Sequence, residues 1–154
     1  MVTLGVVSLV LMWGVPAFFG LVSTSRLANA ANGLVAHLQL ARLEAVSRNT
    51  LVAVCPSTDG ESCDAAVNPQ DWTLGYLVAT VDAQQNVVEV LRRADRAEFN
   101  GLTATSAGTR RFVFESDGSL INSIFGGTVR IEDSQDNTRF RQVVVNDVGR
   151  AFVQ

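Results

Sequence analysis

The chain has 154 residues, 47% of them hydrophobic, and a formal net charge of −3 in which every cationic side chain is an arginine. That length suits one domain, and the apolar content is enough for a core. The acidic balance argues against broad electrostatic binding to nucleic acid, which needs clustered positive charge.

The apolar residues are unevenly spread. No charged residue occurs from Met1 to Ser25, and Arg26 is the first. At about 1.5 Å rise per residue, such a stretch exceeds the ~30 Å hydrocarbon core of a bilayer. Residues 1–25 are therefore expected to be the transmembrane half of a helix. Pro16 is expected to kink it by removing one backbone hydrogen bond, with Gly14 and Gly20 on either side.

A cleaved signal peptide is the alternative, because Ala28-Asn29-Ala30 has the small-x-small pattern of a peptidase site. That would release a secreted soluble β-domain. Against it, no basic residue precedes the apolar stretch, which is also longer than a usual signal core.

From Leu27 the pattern becomes amphipathic. Leu27, Ala31, Leu34, Leu38, Ala41 and Ala45 recur at spacings of four and three, which predicts one apolar helix face over residues 26–48. A single helix of about 70 Å would run to about Arg48, and a sheet is the natural cover for its apolar face.

Beyond Asn49 the period drops to two. Strands are expected at Thr50–Cys55, Trp72–Val81, Asn86–Arg93, Arg110–Glu115, Ser119–Ile124, Gly127–Glu132, Thr138–Asn146 and Arg150–Val153, with a polar loop over Pro56–Asp71 and a turn over Asp133–Asn137. The predicted fold class is α+β: a long N-terminal transmembrane and amphipathic helix, then an antiparallel β-rich domain over residues 49–154.

The two cysteines, Cys55 and Cys63, are close in sequence. Their even count and the anchor predict an exported domain with one disulfide, worth roughly 2–3 kcal/mol; two free thiols in a cytosolic domain are the alternative.

No catalytic constellation is visible, so the chain is not expected to be an enzyme or to hold a cofactor or metal. His37, the only histidine, reads as a polar-face or boundary residue, and two cysteines with one distant histidine do not make a zinc site. Ser57-x-Asp59-Gly60 reads as a turn rather than a metal loop. Glu132, Asp133 and Asp136 read as a solvated hairpin tip rather than a calcium site.

The stretch Leu38–Cys63, LQLARLEAVSRNTLVAVCPSTDGESC, resembles the FimT/GspH family of minor pilins and pseudopilins. Its members carry an AR-x-EA-x-x-RN segment, a short strand and then CPS-x-DG-x-x-C. Ala41-Arg42, Glu44-Ala45, Arg48-Asn49, Cys55-Pro56-Ser57, Asp59-Gly60 and Cys63 fit that order and spacing. Trp72-x-x-Gly75-Tyr76, Leu91-Arg92 and Val143–Arg150 are similar to later family segments.

The resemblance implies a structural subunit of a type IV pilus, with other major or minor pilins as partners. A type II secretion pseudopilin is the alternative, and the cysteine loop tilts the reading toward the pilus. Family members have an N-terminal leader, a peptidase site, a methylated first residue and a membrane glutamate about seventeen residues before the helix proline. With Pro16 aligned to that proline, the glutamate falls two residues upstream of Met1. The natural protein is therefore expected to begin earlier than this sequence.

Some FimT-like members bind DNA in natural transformation through a C-terminal motif resembling G-R-x-R. Gly149-Arg150-Ala151-Phe152 keeps the first arginine and has Phe at the second. Arg130, Arg139 and Arg141 could join Arg150 in a small patch, offset by four acids over residues 126–154. The competing reading is a solvent-facing strand pattern, with Phe152 turned into the core.

Overall fold

The computed structural model describes residues 2–63, 70–108, 111–121 and 126–154, with side chains from Val22 onward. Among the described residues, one α-helix, α1 (Val2–Arg48), leads into eight strands. Their bounds are β1 Leu51–Pro56, β2 Gly75–Val81, β3 Val87–Asp95, β4 Leu102–Ser106, β5 Phe112–Phe114, β6 Gly127–Asp133, β7 Phe140–Val145 and β8 Ala151–Val153. They form two four-stranded antiparallel sheets, ordered β3-β2-β1-β5 and β4-β6-β7-β8.

The helix meets both sheets, and its apolar face is the one the heptad-like spacing predicted. Leu27, Ala30, Ala31, Leu34, Leu38, Ala41 and Ala45 are all buried. They form one core with Val52, Val54, Tyr76 and Val78 of the first sheet and Val129, Ile131, Val143 and Val145 of the second. The helix is unbroken through Ala30, so the small-x-small triplet lies mid-helix, with Ala30 in the core.

The kink expected at Pro16, and the transmembrane expectation for residues 1–25, fall largely on Met1 and the side chains of residues 2–21, which lie outside the described residues. Among the described residues no helix is long and apolar enough to cross a membrane.

The helix stops for a local reason. Asn49 adopts φ 52°, and the Thr50 amide donates to the Ala45 carbonyl at 3.2 Å. This is a Schellman closure, with asparagine in the left-handed position it tolerates better than most residues.

The inner face of the first sheet packs on the helix, but its outer face is buried too. Cys55, Leu77 and Ala79 form a satellite cluster with Cys63 and Val87 packed against it. Ala53, Val81 and Val113 form another with Leu51 and Ile121. This two-sided burial explains why β2 reads as a continuous apolar run.

Several boundaries differ from the sequence reading. β2 begins at Gly75, because Trp72 and Thr73 instead attach to β4. The Trp72 amide donates to the Ala104 carbonyl at 2.8 Å, and Thr73 Oγ1 accepts from the Ala104 amide at 2.9 Å. A 3-10 helix at Arg96–Phe99 and strand β4 were not anticipated at all. The alternation of β4 rests on Leu102, Ala104 and Ser106, and because Ala104 is small and Ser106 polar its period-two contrast is weak. Of the strand expected at Ser119–Ile124, Leu120 makes an isolated bridge to Phe114; residues 122–125 lie outside the described residues, as does Arg110 of the expected Arg110–Glu115 strand.

Candidate functional site

The family-like segment folds into the junction between helix, first strand and cysteine loop. Ala41 and Ala45 are fully buried under the sheets. Arg42 Nε donates to the Gly118 carbonyl at 3.0 Å. Arg48 bridges Glu44 on its own helix and Glu89 on β3, the latter at 2.9 Å. Those hydrogen bonds and charges hold the Arg48 guanidinium above its ordinary pKa.

Cys55 and Cys63 form a disulfide, with Cα atoms 5.6 Å apart. Between them the chain turns on Asp59. Its carboxylate accepts from the Ser62 hydroxyl at 2.6 Å, from the Glu61 and Ser62 amides at 2.8 and 2.9 Å, and from the Ser57 hydroxyl at 3.0 Å. The Ser62 hydroxyl and those donors hold the Asp59 carboxyl well below the usual carboxylate range. Gly60 supplies φ 71°. The segment is therefore a built turn, as expected, and it lays Cys63 over the outer face of the first sheet.

Behind the junction lies an aromatic cluster. Trp72 is tilted against Tyr76 and Phe112, with ring centroids 5.9 and 5.7 Å apart, and its Nε1 donates to Ser106 Oγ at 3.2 Å. Tyr76 is buried, yet its hydroxyl meets His37 Nδ1 at 2.7 Å and donates to Glu98 Oε2 at 3.3 Å. His37 is thus a boundary residue with a defined partner. Burial first, and the Glu98 carboxylate second, push the Tyr76 phenol well above its ordinary pKa.

The four C-terminal arginines are not brought together. Arg130 Nε pairs with Glu132 at 2.9 Å, and its guanidinium stacks 3.8 Å from the Phe140 ring centroid. Arg139 pairs with Asp136 at 3.1 Å in the β6–β7 turn. Arg141, opposite Ile131, is exposed and lies near the same end of the sheet.

Arg150 lies in the β7–β8 turn, at the other end of β7. There it lines a cleft of about 380 Å³ with Gln39, Arg42, Leu43 and Val46 of the helix. Gly149 closes this end: it has φ 77°, and a Cβ there would stand 2.1 Å from the Gly118 carbonyl oxygen. Phe152 does not turn into the core as expected. It pairs with Val144 on the outer face and is half-buried, while Ala151 points inward. The hairpin acids are engaged too, since Asp133 accepts from the Ser23 hydroxyl of the helix and from the Gln135 amide.

A long N-terminal helix half-sheathed by antiparallel sheets, with a disulfide loop at its exit, is the architecture of a pilin-type subunit. The family model described as type II transport protein GspH matches residues 30–149, and the chain belongs to that family. Among curated protein sequences none matches it.

Solved structures of the type IV minor pilin FimU of Pseudomonas aeruginosa (strain PAO1) are similar in two crystal forms. One is 25% identical, covering 84% of this chain and 89% of that one at a TM-score of 0.68. The other is 26% identical, covering 83% and 92% at 0.65. The minor pseudopilin EpsH from the type 2 secretion system of Vibrio cholerae, 14% identical, covers 84% and 96% at 0.58, a likeness of fold alone.

Proposed function

We propose that the protein is a minor subunit of a type IV pilus, built into the filament through its N-terminal helix, with no reaction of its own. The observation that carries this reading is the likeness to FimU in both fold and sequence, against a likeness to EpsH in fold only. A role as a type II secretion pseudopilin is the competing assignment.

Residues 1–25 hold the chain in the inner membrane before assembly, since an uncharged helical stretch of that length is stable there and costly in water. The β-domain then lies on the periplasmic side and contacts neighbouring pilins. In support of helix-based assembly, the face of α1 that is buried under the sheets among the described residues runs from Leu27 to Ala45. Exposed Leu43 and Val46 beside the Arg150 cleft are available to a neighbour.

Deletion of the gene followed by counting of surface pili tests this. Loss of pili with intact protein secretion is the expected result. Intact pili with lost secretion would move the protein to the secretion system.

A further inference from the structure

We propose that the base of the β-domain takes the headgroup of an anionic phospholipid between Arg26 and Arg96. The proposal rests on residues 1–25 being inserted in the membrane. Two loops meet the helix where its uncharged stretch ends. The β6–β7 turn reaches it through Asp133, which accepts from the Ser23 hydroxyl. The turn before β4 reaches it at Gly101, where a Cβ would stand 3.7 Å from Arg26 Nη1. The loops are tied to each other, because the Ser134 amide and hydroxyl donate to the Gly101 carbonyl at 3.1 and 2.8 Å. With residues 1–25 in the bilayer, both loops lie at headgroup depth.

At this level the surface opens into a cleft of about 480 Å³, lined by Thr73, Arg96, Asn100, Thr103 and Ser134 among others, with no acidic residue on its walls. Arg26 stands beside it at Gly101. Among the described residues no ion pair engages either Arg26 or Arg96. Of the carboxylates around the cleft, Asp133 accepts from Ser23 and Gln135, Glu98 from the Tyr76 hydroxyl, Glu132 pairs with Arg130 and Asp71 accepts from the Thr73 amide, while Asp95, next to Arg96 in the chain, is exposed. Two guanidinium groups with neutral donors around them suit a phosphodiester, which arginine binds through paired N–H groups. Each basic side chain near an anionic bilayer surface contributes roughly five-fold in affinity.

The test uses the full chain in nanodiscs of phosphatidylcholine alone, or of phosphatidylcholine mixed with increasing phosphatidylglycerol. Hydrogen exchange of the Arg96–Thr103 and Asp133–Asn137 amides is followed in each. The proposal expects slower exchange as phosphatidylglycerol rises. In Arg26→Gln/Arg96→Gln, roughly thirty-fold weaker apparent affinity is expected from two lost contacts, with no change in Arg150→Gln at the far end.

Equal exchange in both lipids, or an undiminished effect in the double variant, overturns it. So does equal protection by inorganic phosphate added to phosphatidylcholine nanodiscs, since the site would then need no lipid. Flotation of the chain with vesicles after an alkaline wash separates the two layers of the argument. A chain that floats without a phosphatidylglycerol effect loses only the headgroup site, and one that does not float loses the membrane reading as well.

Discussion

The hydroxyl of Tyr76 lies 2.7 Å from His37 Nδ1 and 3.3 Å from Glu98 Oε2, so one buried phenol ties the helix, the first sheet and the 3-10 helix together. It is also the only tyrosine in the chain, so phenolate absorbance reports on this contact alone. Its folded pKa is raised above the ordinary value near 10. The resulting stabilisation is fully present below about pH 10 and is lost as pH rises beyond it. The phenol should therefore ionise only together with unfolding, and Tyr76→Phe should weaken the alkaline dependence of stability while costing about 1 kcal/mol at neutral pH. An absorbance titration alongside circular dichroism reads both, and ionisation of the phenol in the folded chain would refute the coupling.

The disulfide holds Cys63 against Cys55, Leu77 and Ala79. Replacing both cysteines by alanine should lower unfolding free energy by roughly 2–3 kcal/mol in the chain-entropy account. It should also speed amide exchange in β2 more than in β6. Urea denaturation and exchange mass spectrometry check the two parts separately.

The cysteine loop should also weaken in acid through Asp59. Its folded pKa is depressed by hydroxyl and amide donors, so its contribution is complete above its unfolded value near 4 and is lost as pH falls through the depressed folded value. Asp59→Asn should flatten that acid dependence, measured by thermal melts across acidic pH. A variant with an unchanged acid profile would show that the turn is held by other groups.

Gly149→Ala should be severe. The residue has φ 77°, and its added methyl would meet a carbonyl oxygen at 2.1 Å. A loss of about 2–4 kcal/mol is expected, at the high end for a surface turn, along with disturbance of the Arg42–Gly118 hydrogen bond. A melt within a degree or two of the wild type would contradict the packing described here.

Helix and junction were readable because each depends on local chemistry. The spacing of Leu27, Leu34, Leu38 and Ala45 marks the buried face, and Asn49 marks its end. Strands with clear alternation were also legible, such as the one expected at Gly127–Glu132 and observed as Gly127–Asp133. The failures share one cause, namely tertiary contacts without a periodic signature. Trp72 was drawn from β2 to β4 by a backbone hydrogen bond and Thr73 by its hydroxyl, and Phe152 faces outward because the β7–β8 register puts Ala151 inward. That the outer face of the first sheet is covered by the cysteine loop was also beyond sequence patterning, since only the packing of Cys63 on Leu77 reveals it.

For DNA, the geometry favours no salt-stable complex. Arg139 and Arg150 sit at opposite ends of β7, and Arg130 and Arg139 are each paired with an acid. Gel shifts should show no band at physiological salt, and Arg150→Ala should change nothing. A wild-type shift abolished by Arg150→Ala would instead establish a nucleic-acid surface at the β7–β8 turn.

The central claim is that this chain is a filament subunit. Pili sheared from cells carrying the natural gene, purified and analysed by mass spectrometry, test it most directly. The account predicts peptides of this chain at low abundance beside the major pilin, and their absence when the pilus assembly machinery is disabled. Finding the chain only in the soluble periplasmic fraction, with none in the sheared filaments, would contradict it.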